Sequence, residues 1–129
     1  MHNLRELKIW EKALELADAI YEVTDKFPEN EKFGITNQMR RAAVSVSSNI
    51  AEGAGRNSNK EFNHFIGISN GSIYELRFQL ELSIRRNYID IQNRDRLLEL
   101  MDHLIRMNYN LQIRMNNSVD RSNRSQYKP

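Results

Sequence analysis

The stretch RRAAVSVSSNIAEGAGR, residues 40–56, decides how the chain is read. With Met39 just ahead of it, Ala42, Ala43, Val46 and Ile50 recur at the steps of three and four that mark one face of a helix. Strand-like alternation is absent. The spacing predicts a helix over about 35–53, broken by Gly53 and Gly55. Its opposite stripe, Arg41, Ser45, Ser48 and Glu52 with neighbouring Asn49, is small and polar, which lets another backbone approach closely. Asn49 and Glu52 are expected to form structural hydrogen bonds near the turn that follows. Arg40 and Arg41 point about 100° apart, so they cannot share one narrow face. At least one needs a structural or intersubunit partner, such as a carboxylate of the acidic first helix.

Working outward, the pattern gives three more helices. The first is expected over about 4–26, with Asn3 and Glu6 at capping-box spacing and Pro28 beyond its end. It carries two apolar stripes, Leu7-Trp10-Leu14-Ala17-Tyr21 and Ile9-Ala13-Leu16-Ile20-Val23. Two stripes imply burial on two sides, the second against another subunit. Ser58 and Glu61 form a capping box that opens a helix over about 58–86, with Phe62, Phe65, Ile66, Ser69, Ile73, Leu76, Leu80 and Ile84 facing inward. Gly67 and Gly71 lie one turn apart in its interior. Glycine there costs up to about 1 kcal/mol relative to alanine, so a close crossing by Ser45 or Ser48 is expected to compensate. Asn87 suits a left-handed cap and Asp90 an N-cap for the last helix, about 91–116, whose seam is Leu97, Met101, Leu104, Asn108, Leu111 and Met115. Residues 118–129 are polar and aperiodic, which predicts a disordered tail. One all-α domain over 1–117 follows: an antiparallel up-down-up-down four-helix bundle.

A chain of 129 residues is one domain by length. It has no cysteine, which excludes disulfides and thiolate metal sites and suits a reducing, cytoplasmic setting. The N-terminus, MHNLRELKIWEKALE, lacks the apolar run of a signal peptide or membrane span. Net charge is only +2, but residues 1–31 hold eight acids against four bases and residues 103–129 five bases against one acid. Such asymmetry fits either a polyanionic partner or helices that balance one another.

Chemistry finds little support. Glu61 and His64 form a single E-x-x-H, whereas a di-iron bundle needs two such pairs and two further glutamates. On the last helix Glu99 and His103 are four apart, and His2 sits in a terminus expected to fray. No metal, cofactor or catalytic group is expected, and the chain is expected not to be an enzyme. Arg56 and Lys60 flank the start of the third helix, where the dipole favours an anion. With Arg40 and Arg41 they make the candidate set for nucleic-acid or anion binding. No base-reading motif is visible, so any binding of RNA or DNA would be weak and without sequence specificity.

The residues Leu7-x-x-Trp10-x-x-Ala13, Tyr21, Phe27-Pro28, Glu31-x-x-Gly34, Gln38-x-Arg40-Arg41-Ala42-Ala43-x-Ser45, Asn49-Ile50-Ala51-Glu52-Gly53, Glu61-Phe62-x-x-Phe65 and Gly71-Ser72-x-x-Glu75-Leu76 carry a resemblance. Over about residues 3–116 the chain resembles the bacterial four-helix bundle proteins called 23S rRNA-intervening sequence proteins. The resemblance implies a homopentamer around a central channel. A related branch, the accessory variability determinant of diversity-generating retroelements, is a basic pentamer that binds nucleic acid and a reverse transcriptase. Two functions are therefore expected in competition: an oligomer that associates weakly with nucleic acid or a nucleoprotein partner, and a purely structural or protein-binding homopentamer.

Overall fold

The structure, a computed structural model, describes the backbone of residues 1–126 and the side chains of residues 1–117. It holds four α-helices: α1 (Lys8–Thr24), α2 (Ile35–Ala54), α3 (Asn59–Arg85) and α4 (Ile91–Gln126). Short 3-10 turns occupy Leu4–Glu6 and Glu29–Glu31, and no strand is present among the described residues.

The first helix is shorter than the 4–26 expected. Asn3 caps only the 3-10 turn, its side chain accepting from the Arg5 N–H, and Leu7 then turns extended at φ −80°, ψ 113°. That break lets the terminus fold onto the α2–α3 turn. The His2 N–H donates to the Ala54 carbonyl at 2.9 Å, and the His2 ring meets Asn59 Oδ1 at 3.1 Å and the edge of Phe62. His2 is thus tied down rather than frayed. At the other end the helix stops at Thr24, whose hydroxyl donates to the Ile20 carbonyl at 2.7 Å.

Of α1's two stripes, one is core: Ile9, Ala13, Leu16, Ile20 and Val23 are buried. On the other, Leu14 and Tyr21 remain 40% and 43% exposed. Leu16, Ile20, Met39, Ile50, Phe62, Leu76, Leu97 and Leu104 bring all four helices into one core. Fully burying each such side chain contributes about 1.5–3 kcal/mol.

Contacts join α1 to α2, α2 to α3, α3 to α4 and α4 back to α1. Along the α3–α4 seam the numbers rise on one helix as they fall on its neighbour. Arg77, Asn70 and Asn63 of α3 meet Asp102, Asn108 and Asn116 of α4 in that order. The connections are capped locally: Ser58 Oγ accepts from the Glu61 N–H at 3.2 Å, Asp90 from the Asn93 N–H at 2.8 Å, and Asn87 takes φ 62°.

At its C-terminal end α4 passes the expected boundary at 116 and continues to Gln126. From Asn117 onward the first residue that breaks a helix is Pro129, so each added residue can extend the ladder by one hydrogen bond. Residues 127–129 of the expected tail lie outside the described residues.

Candidate functional site

The small polar residues of α2 serve packing first. Ser45 and Ser72 share a hydrogen bond of 2.9 Å across the α2–α3 seam, and Ser69 Oγ donates to the Val46 carbonyl at 2.9 Å. Asn49 bonds one turn back, its Nδ2 donating to the Ser45 carbonyl at 2.8 Å and to Ser45 Oγ at 3.1 Å. It therefore stabilises α2 from within, away from the turn where the bond was expected. Glu52 does act at the turn, accepting from Arg56 at 2.9 Å.

The glycines exchange the roles expected of them. Gly53 does not break α2; it lies buried within the last turn, where a Cβ would sit 2.7 Å from Phe65 Cβ and 3.0 Å from Phe62 Cδ1. The close crossing of α2 and α3 is at this position. Gly67 and Gly71 are exposed and a Cβ there would meet nothing within 4 Å. Ser45 and Ser48 do not approach them, because α3 turns Ser69 and Ser72 toward α2 instead.

Nor do the four candidate bases form one surface. Arg40 is held against α1: its Nη2 donates to Asp25 at 2.7 Å, its Nε to Thr24 Oγ1 at 2.9 Å, and its guanidinium lies 4.7 Å from the Tyr21 ring centroid. Arg41 is exposed and in no ion pair among the described residues. With Arg40, Tyr21, Val44 and Ser48 it lines an open groove of about 490 Å³. Arg56 lies beyond the far end of α2, paired with Glu52 and 4.8 Å from the Phe65 ring centroid. Lys60 is exposed on the first turn of α3. Thirteen residues at 1.5 Å per residue put Arg41 and the end of α2 about 20 Å apart. The sequence candidates are two separate pairs, each with one base already engaged by an acid.

Comparison with known proteins agrees with this architecture. The family model for the 23S rRNA-intervening sequence protein matches residues 5–110. The chain belongs to that family. No curated protein matches it. Among solved structures it is similar to a protein of unknown function from the S23 ribosomal protein family of Bacteroides thetaiotaomicron VPI-5482, with a TM-score of 0.74 and 23% identity over 81% of this chain and 94% of that one. At that identity the likeness concerns the fold.

One surface of this family member was not singled out from its sequence. The outer face of α3 exposes Tyr74 at 60% and Phe78 at 67%, flanked by Ile68 and Leu82 and by the bare backbone of Gly67 and Gly71. The available signal was the four-residue step from Tyr74 to Phe78, which falls outside the inward stripe of α3. Elsewhere on α3, Glu61 belongs to the cap, accepting from Ser58 Oγ at 3.2 Å, and the His64 ring meets the edge of Phe65. Among the described residues no helix is long and apolar enough to cross a membrane.

Proposed function

We propose that this family member is a non-enzymatic, up-down-up-down four-helix bundle that works in the cytoplasm as a homo-oligomer joined through the outer face of α3. The carrying observation is the exposure of Tyr74 and Phe78 beside Ile68 and Leu82. Contiguous apolar surface of this kind is uncommon on monomers and marks interaction sites. The opposed order of contacts along the α3–α4 seam supports the topology, and five copies is the number the family resemblance implies. Arg40 and Arg56, held by Asp25 and Glu52, are structural in this reading.

Light scattering on the wild type is expected to give several times the 15.2 kDa chain mass. The Tyr74→Asp, Phe78→Asp double variant is expected to give the single-chain mass with unchanged helical circular dichroism. A wild type that is monomeric at tens of micromolar, or a variant that assembles like it, overturns the reading.

A second reading, weak nonspecific association with RNA, DNA or a nucleoprotein, is favoured by Arg41 and Lys60, both exposed and unpaired among the described residues. Each phosphate neutralised makes binding fall with salt. Binding that is absent, or that salt leaves unchanged, sinks it.

A further inference from the structure

We propose that the outer face of α3 on one copy seats in the open groove on α2 beside Tyr21 of the next copy. This rests on the first reading above, assembly through α3, and names the surface that receives that face. The groove is lined by Tyr21 of α1 and by Arg41, Val44, Ser45 and Ser48 of α2. Tyr21 and Val44 stay 43% and 45% exposed, and Leu14, two turns before Tyr21 on the same stripe of α1, is exposed as well. Apolar surface is thus left uncovered here as well as on α3. The dimensions fit. Leu82 lies fourteen residues beyond Ile68, which gives a ridge of about 21 Å, and Ser48 eleven residues beyond Asn37, which gives a groove wall of about 17 Å. The large Tyr74 and Phe78 on the ridge meet the small Ser45 and Ser48 of the groove, the match of sizes by which a helix ridge enters a groove.

Charge favours this pairing of unlike faces. The groove lining contains Arg40 and Arg41 and no acid. Asp25 holds Arg40, whereas Arg41 is exposed and in no ion pair among the described residues. Asp18, exposed on α1, does not line the groove. Between Gly67 and Leu82 the exposed charges of α3 are Glu75 and Glu81, and neither is in an ion pair among the described residues. Two α3 faces packed on each other would set these carboxylates against their own kind, because Arg77, the one base in that stretch, is committed to Asp102 at 2.8 Å. That arrangement would also leave Leu14, Tyr21 and Val44 in water. Packing α3 on the groove instead brings Glu75 and Glu81 toward Arg41 and covers both apolar surfaces at once. Each copy then offers one face of each kind, so assembly runs head to tail and is not limited to pairs.

The chain has no cysteine, so thiols can be placed as probes without background. The test treats Val44→Cys, Phe78→Cys and the double variant, all at exposed positions, with a short bismaleimide at a concentration where light scattering shows assembly. The double variant is expected to give covalent species of three or more chains on a denaturing gel. The two single variants co-expressed are expected to give two-chain species, and each single variant alone to stay at the single-chain mass. Arg41→Glu is expected to lower the assembled mass at equal concentration with unchanged helical circular dichroism. Adding Glu75→Lys, Glu81→Lys to it is expected to restore that mass, which loss of folding would not allow. Two-chain species from Phe78→Cys alone overturn the inference in favour of α3 packed on α3 and leave assembly through α3 standing. An assembled double variant that does not cross-link overturns the inference in the same way. A wild type that is monomeric overturns it and the first reading together.

Discussion

Gly53→Val is expected to be the most damaging single substitution on α2, with Gly53→Ala costing about 1–3 kcal/mol in urea denaturation and valine more than alanine. The sign is the informative part, since glycine to alanine inside a helix ordinarily gains up to about 1 kcal/mol. Here the new Cβ would lie 2.7 Å from Phe65 Cβ, an atom fixed to the α3 backbone rather than the free end of a side chain. Relief requires α2 and α3 to separate, and that opens the packing around Phe62, which is fully buried. Gly67→Ala and Gly71→Ala provide the contrast. Each has open space around its Cβ position and is expected to stabilise the isolated bundle by about 0.5–1 kcal/mol. If the outer face of α3 joins copies as proposed, the same two substitutions also weaken assembly, visible as a lower mass in light scattering at equal concentration. A stabilised Gly53→Ala variant would show that the α2–α3 crossing is looser than its geometry states.

That reversal of glycine roles shows what the sequence carries and what it withholds. Periodicity identifies which face of a helix is buried: Met39, Ala42, Ala43, Val46 and Ile50, read inward from spacing alone, are all buried. It cannot identify which neighbour lies across from a small residue. Gly53 and Gly67 are both glycines on helices, and only the crossing of α2 over Phe62 and Phe65 separates them. The ends of helices were legible where a side chain caps them, as at Ser58 and Asp90, and illegible where tertiary contact decides. Leu7 interrupts the first helix so that His2 can reach Ala54, a contact 52 residues away in sequence that no local pattern encodes.

The candidate bases are dispersed for a similar reason, although the expected carboxylate partner for Arg40 or Arg41 is there in Asp25, which holds Arg40. Arg40, Arg41, Arg56 and Lys60 are close in sequence, but a helix carries Arg41 and Arg56 to opposite ends of α2, and Asp25 and Glu52 engage two of the four. The outer face of α3 was readable in part, since Tyr74 and Phe78 fall off the inward stripe. Its extent depends on Gly67 and Gly71 having no neighbour, which is a tertiary fact.

Asn108 yields two expected effects of opposite sign. It is fully buried in the α4 seam, its Nδ2 donating to Asn70 Oδ1 at 2.8 Å while its own Oδ1 has no partner in the protein. Leaving a buried acceptor unpaired costs about 1–3 kcal/mol. Asn108→Leu removes that acceptor and puts apolar surface against the core, and Asn70, only half-buried, can turn its freed oxygen to water. The variant is expected to gain about 1–2 kcal/mol in urea denaturation. Asn70→Ala does the reverse: it strands the whole Asn108 amide in the core and is expected to cost about 1–3 kcal/mol. The native pair is thus a stability cost, and register is what it supplies. The α3–α4 seam repeats a polar contact near every second turn, at Asn63–Asn116, Asn70–Asn108 and Arg77–Asp102, so a slip of α4 by one turn would bury unpaired amides. In Asn108→Leu that penalty at the middle position is gone. Hydrogen exchange is therefore expected to show global protection rising with stability while the distal part of α4, residues 105–117, exchanges with a broader spread of rates than in the wild type. A spread of rates over residues 105–117 no broader than in the wild type would show that apolar packing alone sets the register of α4.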